Sequence, residues 1–463
     1  MGSRIWGQMD LHIDLARAPG RSLRARLEHA LREAIRGGRL GAQERLPSTR
    51  ELATELGVSR GVVVDAYSQL AAEGYLRTAR GGGTRVAPAI APASRPTPAP
   101  TRPPRIRYDL SPFRPALGQI PRRTLAAALA RVLRDTPDER LGLPDPDGTL
   151  ELRTALSSYL GRVRGVQAAP EQLVVTSGTR HSLSLVWRAL AARGVQRVAI
   201  EAPGWSGVAE TASVAGLHPV SVPVDDDGLR VDDLRGEAVD AVAVAPAHQY
   251  PSGAVLSPER RTAILDWARA GRRLVIEDDF DAEYRYDHHP IGSLQGLAPE
   301  HVIYAGSSSK TVAPSLRLGW IVFPPRLREA ILDFQETAGT IPSPVVQLAF
   351  ADLIERGELD RHLRRQRRRY RQQRASLLGA LAKQLPEVSV RGAAAGLYAV
   401  IELPHELEEA AVLAAAQARG IALEGRGTAA PALVLGYANI DAAAIKPAVS
   451  ELAASIDDAR GRS

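Results

Sequence analysis

Lysine is rare in this chain, and one of its lysines lies in a segment rich in polar residues. The 59 Lys and Arg residues include only three lysines, Lys310, Lys383 and Lys446. Lys310 stands in "YAGSSSKTVAPSLRLGW" (Tyr304–Trp320), behind three serines and before Arg317. A lysine amine can lose its proton and form an imine with a carbonyl compound, whereas an arginine guanidinium does neither. Lys310 is therefore either a surface residue of a loop or a residue kept for imine chemistry, and its surroundings must decide.

A second polar segment could bind a phosphate group. "TSGTR" (Thr176–Arg180) follows an apolar run and precedes a helical pattern. A glycine and small hydroxyl residues suit phosphate binding by backbone N–H groups at the start of a helix, although an ordinary strand–helix turn is the alternative. The candidates in this segment are Ser177, Gly178 and Thr179.

Three further segments carry side chains that could contact a planar ring. "EAPGW" ends in Trp205, whose indole could stack on a ring or fill the core, and "APAHQYPSG" contains His248 and Gln249. "IEDDFDAEYRY" contains Asp278 and Asp279. A carboxylate beside a pyridinium nitrogen keeps that nitrogen protonated, although capping of a helix is the alternative.

The residues around Lys310 complete this chemistry. Ser307 and Arg317 offer a hydroxyl and a cation to a phosphate, and Lys310 offers an amine that can form an imine. Phosphate anchors together with such an amine are what pyridoxal phosphate requires. The sequence therefore predicts a pyridoxal phosphate site.

The elements that must position these residues form a large α/β domain. Polar candidates end several of seven apolar runs that alternate with helical stretches, which predicts a mostly parallel sheet with both faces covered. After about residue 330 the pattern changes to helices with a few strands, which predicts a smaller α+β domain. We expect this region to extend over residues 108–463, with a large domain at about 150–330 and a small domain at about 331–463. The runs are "LVVTSG", "VAIEAP", "PVSVPVD", "AVAVAPAH", "RLVIEDDF", "HVIYAG" and "LGWIVFP".

Residues 10–86 have the pattern of a winged helix-turn-helix, mainly α with a β wing. Ser48 and Glu51 form a capping box before a short helix, Gly57 makes a turn, and Ser59 can cap a second helix. "YLRTARGGGTRV" then reads as two strands around a glycine turn. The first 86 residues contain 14 Arg against 9 Asp and Glu, out of a net charge of +7 for the whole chain, which favours a polyanionic partner.

The expected partner of this domain is double-stranded DNA. A recognition helix of this kind lies in the major groove and contacts bases from its N-terminal residues, here Ser59 and Arg60. Arg50, Arg80 and Arg85 are better placed for phosphates. Because arginine is frequent throughout the chain, each of these residues could instead be a solvated surface charge.

A proline-rich linker is expected over residues 87–107. Seven prolines occur between residues 87 and 105. In a polyproline II conformation such a segment could reach roughly 60 Å. The two domains could therefore lie far apart or cross to a partner subunit.

Nearly the whole chain resembles the MocR/GabR regulator family. Residues of about 21–86 resemble a GntR-type winged helix, and residues of about 108–455 resemble fold-type-I aminotransferases. The family's motifs stand here as "SSSKTVAPSLRLG", "EAPGW", "HQYPSG" and "GTLELR". The resemblance implies that Lys310 is the Schiff-base lysine, that Asp278 pairs with the pyridine nitrogen, and that Trp205 stacks on the ring. It also implies a phosphate site formed by Ser177, Gly178, Thr179, Ser307 and Arg317.

Two residues depart from the family pattern. Phe280 stands where a tyrosine usually donates to the phenolic oxygen of the cofactor, and His248 or Gln249 could partly replace that donor. Val434, in "LVLGY", stands where an arginine usually binds a substrate carboxylate. Both departures favour a sensor domain over a working aminotransferase with an accessory DNA-binding domain. A cofactor-free DNA-binding protein is a third alternative, which the intact Lys310, Asp278 and Arg317 disfavour.

The remaining expectations concern effector, assembly and location. The effector is either an amine or amino acid, or pyridoxal phosphate itself in the control of vitamin B6 supply.

We expect a domain-swapped homodimer, because fold-type-I sites are completed by a neighbouring subunit. The chain has no cysteine, no long apolar run and no signal peptide at its start, which favours a cytoplasmic protein without a membrane partner. A run with eight arginines (Arg361–Arg374) is either a solvated helical face or a further contact with DNA.

Overall fold

The computed structural model describes residues 15, 18–79, 83–88, 106–286, 291–392, 395–428 and 430–461. The chain divides into two compact units, Met1–Pro103 and Pro104–Ser463. Each unit has its own hydrophobic core.

The first unit is a winged helix-turn-helix, as the sequence predicts. Its elements are α1 (Leu23–Arg36), α2 (Thr49–Leu56), α3 (Arg60–Ala72) and an antiparallel pair of strands, β1 (Leu76–Ala79) and β2 (Gly83–Val86).

Local sequence signals explain the boundaries of these helices. Ser48 Oγ accepts from the Glu51 amide at 3.2 Å, and the Glu51 carboxylate accepts from the Ser48 amide at 2.8 Å, so the capping box before α2 is present. Gly57 ends α2 with a φ of 63°, a conformation that favours glycine. Ser59 stands at the N-cap of α3, but its side chain makes no capping hydrogen bond.

The second unit contains most of the chain. Its helices are α4 (Arg122–Asp135), α5 (Leu150–Arg164), α6 (Thr179–Ala192), α7 (Ser206–Val214), α8 (Val231–Arg235), α9 (Pro258–Gly271), α10 (Arg328–Ala338), α11 (Pro344–Glu355), α12 (Glu358–Gln384), α13 (Glu409–Ala418) and α14 (Ala442–Arg460). Its strands are β3 (Tyr108–Asp109), β4 (Leu173–Thr176), β5 (Arg197–Ala202), β6 (His218–Asp225), β7 (Gly228–Leu229), β8 (Ala241–Val244), β9 (Leu274–Asp279), β10 (Val302–Ser307), β11 (Gly319–Val322), β12 (Ser389–Arg391), β13 (Tyr398–Glu402), β14 (Ile421–Ala422), β15 (Glu424–Gly425) and β16 (Ala432–Gly436).

The large sheet has eight strands in the order β4-β11-β10-β9-β8-β5-β6-β7. The central strands β10, β9, β8, β5 and β6 are parallel, whereas β11 runs antiparallel to both of its neighbours. Alternate residues of β8 pack into two different clusters, Ala241 and Ala243 into one and Val242 and Val244 into the other. Both faces of the sheet are therefore covered, as the continuous apolar runs predict.

A smaller sheet follows, with its strands in the order β12-β13-β16-β15, all antiparallel. The predicted combination of a large α/β domain with a smaller α+β domain is confirmed. Strand β3, at the start of the unit, pairs in parallel with β14 near its end. In the described part of the chain, no helix combines the length and the apolar character that a membrane span needs.

Candidate functional site

A cavity of about 300 Å³ lies at the carboxyl ends of the parallel strands. In open α/β sheets this edge is where ligands bind. Six of the ten residues that the sequence assigns to the cofactor line this cavity. They are Thr179, Trp205, Asp278, Ser307, Lys310 and Arg317.

Lys310 follows β10, and its amine points to the first residues of the second unit. Lys310 Nζ donates to the Phe113 carbonyl oxygen at 2.5 Å, and it lies 5.2 Å from the centroid of the Phe113 ring. Burial lowers the pKa of Lys310 to about 8, although the charges of Asp281 and Asp278 act in the opposite direction. A neutral amine is therefore available close to physiological pH, which imine formation requires.

Two consecutive acids at the end of β9 face opposite ways. Asp279 Oδ2 accepts from Arg164 Nε at 2.7 Å and from the Tyr304 hydroxyl at 2.6 Å, in a buried ion pair away from the cavity. Asp278 lines the cavity, and its buried Oδ1 has no hydrogen-bond partner among the described residues. Burial, and then the charge of Asp279, raise the pKa of Asp278 to about 7. A buried carboxyl oxygen without a partner fits a protonated ring nitrogen.

Another part of the cavity wall, at Arg317 and the first turn of α6, is suited to an anion. Gly178 has a φ of 111°, and a Cβ there would lie 3.7 Å from the Arg317 guanidinium. A Cβ on Gly319 would come within 2.8 Å of the Gly178 Cα, so the start of α6 and the start of β11 approach closely. Arg317 makes no salt bridge with the described residues, and its charge helps burial to lower the pKa of His181 to about 4. The unpaired guanidinium beside the first turn of α6 fits a phosphate group.

Ser177 does not line the cavity. Its hydroxyl donates to the Thr340 carbonyl oxygen at 3.0 Å, and its amide donates to His181 Nδ1 at 3.0 Å. Its assignment to the phosphate stays a prediction, and it requires that the hydroxyl exchange this partner.

Trp205 stands on one wall of the cavity, directly before α7. The Arg180 guanidinium lies 5.0 Å from the centroid of the Trp205 ring and forms a 2.8 Å salt bridge with Glu210. The indole is thereby held in place while one side of it borders the cavity.

His248 and Gln249 are not among the cavity-lining residues. His248 Nδ1 lies 2.9 Å from Asp281 Oδ2, and its ring stacks on Tyr398 with centroids 4.4 Å apart. The Gln249 amide donates to the carbonyl oxygens of Pro203 and Tyr250 at 2.7 and 2.6 Å. Both side chains are buried and hydrogen-bonded to neighbouring protein groups, although His248 Nε2 has no partner among the described residues.

Sequence reasoning missed an aromatic box beside Lys310, formed by Phe113, Tyr250, Phe280 and Tyr398. The Phe113 ring centroid lies 4.4 Å from that of Tyr250, 5.5 Å from that of Phe280 and 5.9 Å from that of Tyr398. Val434 is buried in the same cluster. No local signal marks Phe113, because its partners are distant in the sequence.

Glu201 is a second residue that sequence reasoning missed, although it belongs to "EAPGW". It lines the cavity, and its Oε2 accepts from the Ala245 amide at 3.3 Å. Burial raises the pKa of Glu201 to about 8, and the charge of Asp278 adds to this shift. The cavity thus contains two carboxyl groups with raised pKa values.

The predicted DNA-contacting residues lie on the surface of the first unit. Ser59, Arg60, Arg50 and Arg85 are exposed, and α3 begins at Arg60. Arg60 Nε lies 3.4 Å from Thr49 Oγ1, which brings the starts of α2 and α3 together. One Arg85 nitrogen donates to the Gln43 carbonyl oxygen at 2.9 Å. Arg80 lies outside the described residues.

Both units match known families. Residues 116–451 match the family of class I and II aminotransferases, and residues 23–86 match the gntR family of bacterial regulatory proteins. The chain is 35% identical to the HTH-type pyridoxine biosynthesis transcriptional regulator PdxR of Corynebacterium glutamicum, over 85% of this chain and 86% of the relative. It is 32% identical to the probable rhizopine catabolism regulatory protein MocR of Rhizobium meliloti, over 92% of each chain.

Solved aminotransferase structures resemble the second unit. The multiple substrate aminotransferase from Thermococcus profundus aligns with a TM-score of 0.71 and 23% identity, over 79% of this chain and 94% of that one. The α-aminoadipate aminotransferase LysN of Thermus thermophilus, complexed with N-(5'-phosphopyridoxyl)-L-leucine, aligns with a TM-score of 0.70 and 25% identity, over 77% of this chain and 93% of that one. The chain belongs to the MocR/GabR-type family, in which a GntR-type winged helix precedes a domain of the class I and II aminotransferases.

Proposed function

We propose that this protein is a transcriptional regulator that binds pyridoxal phosphate through Lys310, and that occupancy of this site is the signal that changes its affinity for an operator. The observation that carries the proposal is the position of Lys310. Its amine borders a cavity whose lining includes the Asp278 carboxyl and the Arg317 guanidinium, and beside it lies an aromatic box.

The cofactor would be held by residues from several strand ends. Lys310 supplies the amine for covalent attachment, and Asp278 supplies a carboxyl for the ring nitrogen. Trp205 borders the ring. The phosphate group would be bound by Arg317, by Ser307 and by the first turn of α6 with Ser177, Gly178 and Thr179. Bound pyridoxal phosphate supplies an aldehyde carbon and an electron-accepting ring.

The protein acts as a regulator rather than as an enzyme, like the curated relatives that share both of its domains. The aromatic box gives a structural reason. Phe280 has no hydroxyl to donate to the cofactor, and Val434 is a buried apolar residue of the same cluster. A substrate carboxylate entering this box would lose its hydration without gaining a cationic partner. An amino acid would therefore be poorly oriented, and orientation governs much of the rate of such a reaction.

Pyridoxal phosphate itself is the effector that these residues favour. The cavity offers an amine, a carboxyl and a guanidinium for the cofactor, whereas the aromatic box offers no cationic side chain for the carboxylate of an amino acid. The relative PdxR is named a regulator of pyridoxine biosynthesis. We therefore propose that the target genes serve vitamin B6 supply.

A free amine is the second candidate effector, and one contact favours it. The Tyr250 hydroxyl donates to Glu424 Oε2 at 3.0 Å, so an acid adjoins the aromatic box at this residue. An acid attracts an ammonium group and repels a carboxylate. An amine without a carboxylate group fits this surrounding better than an amino acid does.

The winged helix binds duplex DNA. We propose that Ser59 and Arg60 face base edges, and that Arg50, Arg80 and Arg85 contact phosphates.

We also propose a homodimer in which each winged helix docks on the large unit of the other subunit. Two-fold symmetry would match two half-sites of an operator. A monomer by light scattering, with and without operator DNA, would contradict the dimer.

The decisive experiment measures operator affinity in three states. These are the cofactor-free protein, the protein with pyridoxal phosphate, and the protein with pyridoxal phosphate and candidate amines. A ligand shifts the equilibrium only if it binds one state more tightly. We expect pyridoxal phosphate to change the affinity about 5- to 150-fold. Keto-acid production is followed in parallel and should be negligible. Unchanged affinity in all three states together with sustained turnover would show an aminotransferase instead of a sensor.

A further inference from the structure

Helix α12 presents a row of arginines on its outer face, which we call the arginine stripe: Arg364, Arg365, Arg368 and Arg371. All four are exposed. Arg364, Arg368 and Arg371 follow each other in steps of four and three residues and so share one side of the helix, and Arg365 lies beside them, three residues before Arg368. The opposite side is buried against the second unit through Leu363, Gln366, Tyr370, Gln373 and Leu377.

The arginines that flank the stripe are already engaged. Arg361 forms a 2.7 Å salt bridge with Glu358, and Arg369 forms a 3.2 Å salt bridge with Asp441. Arg367 Nε donates to the Glu283 carbonyl oxygen at 2.9 Å.

Members of the stripe, by contrast, form no salt bridge with any residue in the described ranges. The acid that influences Arg365, Glu358, is already bound by Arg361. The stripe therefore concentrates positive charge on one helix face of a unit whose sequence has no net charge.

The geometry of the stripe fits a nucleic acid backbone. From Arg364 to Arg371 the helix rises roughly 10 Å, at about 1.5 Å per residue. One DNA strand carries a phosphate for about every 3.4 Å of the helix axis, so the length of the stripe corresponds to about three base-pair steps of a duplex. Each guanidinium can form two parallel hydrogen bonds to one phosphate.

We propose that the arginine stripe binds the phosphate backbone of DNA that flanks the operator, outside the half-sites read by the winged helix. This proposal rests on the proposed function only because it requires that the protein binds an operator. Once the winged helix is bound, flanking DNA is present at a high effective concentration. After Arg371, the exposed face of α12 continues with Gln372 and Ala375 and carries no exposed aromatic residue. The centre of a protein interface, by contrast, is usually enriched in aromatic residues.

The test uses a triple variant and a control of equal charge. Arg364, Arg368 and Arg371 are changed to Gln together. In the control, three exposed arginines that pair with acids three positions away, Arg230, Arg235 and Arg269, are changed to Gln. Both variants lose the same net charge. Affinity is measured across salt concentrations for a minimal operator and for one extended by two helical turns on each side, at a fixed cofactor state.

We expect the stripe variant to bind the extended operator on the order of tenfold more weakly and the minimal operator normally. The slope of log K against log salt should become less steep by roughly 3 per subunit, at about 0.9 per lost phosphate contact. The control variant should change neither the affinity nor this slope.

Equal losses of affinity for both variants, or equal losses on both DNAs, would overturn the proposal. So would an altered subunit assembly with unchanged DNA affinity, which would make the stripe a protein interface. If the operator affinity of the wild type responds to pyridoxal phosphate but is not increased by flanking DNA, the proposal for the arginine stripe is contradicted and the proposed function stands.

Discussion

Lys310 Nζ and the carbonyl oxygen of Phe113 are joined by a 2.5 Å hydrogen bond. Phe113 has a φ of 63°, which is uncommon for a residue other than glycine, so the chain bends sharply where it meets the lysine. The lysine amine is thus held by the first segment of the second unit, and covalent attachment of a cofactor must replace this hydrogen bond.

Replacing Lys310 by alanine should abolish the visible absorbance that pyridoxal phosphate gives when it is bound to a lysine. Borohydride reduction and peptide mapping should place the adduct on Lys310 in the wild type. Lys383→Ala is the matched control, because Lys383 is exposed on α12 and should leave the absorbance unchanged. An adduct found on Lys383 or Lys446 would refute the assignment.

Capture of the cofactor should depend on pH through Lys310. Burial lowers the pKa of its amine from 10.5 to about 8. The neutral, reactive fraction therefore grows as the pH rises through about 8 and is nearly complete one unit higher. We expect the rate of attachment, followed by stopped-flow absorbance, to level off above that pH. A rate that keeps rising towards pH 10.5 would show an ordinary, exposed lysine.

The stability of the cofactor-free protein should fall between about pH 5 and pH 8 because of the carboxyl groups in the cavity. The pKa of Glu201 is about 8 in the folded protein, against 4.5 ordinarily. The folded state then binds more protons than the unfolded state, and this advantage disappears as the pH rises through the folded pKa. Glu201→Gln should flatten the dependence of the melting temperature on pH, and Asp278→Asn should act in the same direction. A slope in Glu201→Gln equal to that of the wild type would exclude Glu201 as a cause.

Phe280→Tyr should restore a hydrogen-bond donor at the cavity. A phenol near the cofactor's ring oxygen would stabilise the form in which that oxygen is charged, and so lower the pH at which the bound cofactor changes its absorbance, by about one unit. Phe280→Leu is the control, because it alters the aromatic box without adding a donor. A midpoint that moves equally in both variants would show an effect of packing, not of the hydroxyl.

Arg60→Ala should weaken operator binding by about 1–3 kcal/mol and relax specificity at one base pair. The reason is its exposed position at the start of α3. Arg50→Ala, on α2, should instead weaken binding to all sequences alike, as expected for a phosphate contact. Competition assays with single-base operator variants separate the two patterns. Uniform weakening by Arg60→Ala would make Arg60 a phosphate contact as well.

Features that depend on neighbouring residues could be predicted from the sequence. The capping box at Ser48, the turn at Gly57 and the continuous apolar runs are local patterns, and each led to the correct element. The grouping of Lys310, Asp278 and Arg317 around one cavity could be predicted because they end predicted strands or follow them closely, and the ends of parallel strands meet at one edge of the sheet.

Features that depend on distant contacts could not be predicted. The run "GWIV" indicates a buried strand, but a parallel and an antiparallel strand have the same side-chain alternation, so the direction of β11 is not encoded locally. Phe113 reaches Lys310 from the segment after β3, a strand that pairs with β14 more than 300 residues later in the chain. His248 looks like a ligand of the cofactor in the sequence, yet its contacts with Asp281 and Tyr398 depend on how separate segments pack.

The two acids that end β9 share one strand but serve two unrelated surroundings. Asp278 borders the cavity, while Asp279 neutralises Arg164 in the core. Because side chains alternate along a strand, a single-residue insertion or deletion within β9 would exchange the two positions. Point substitutions can alter one role at a time, whereas such an insertion or deletion would remove the Asp278 carboxyl from the cavity and break the buried ion pair together. Retention of this site in related sequences therefore depends on the number of residues in β9 as much as on their identity.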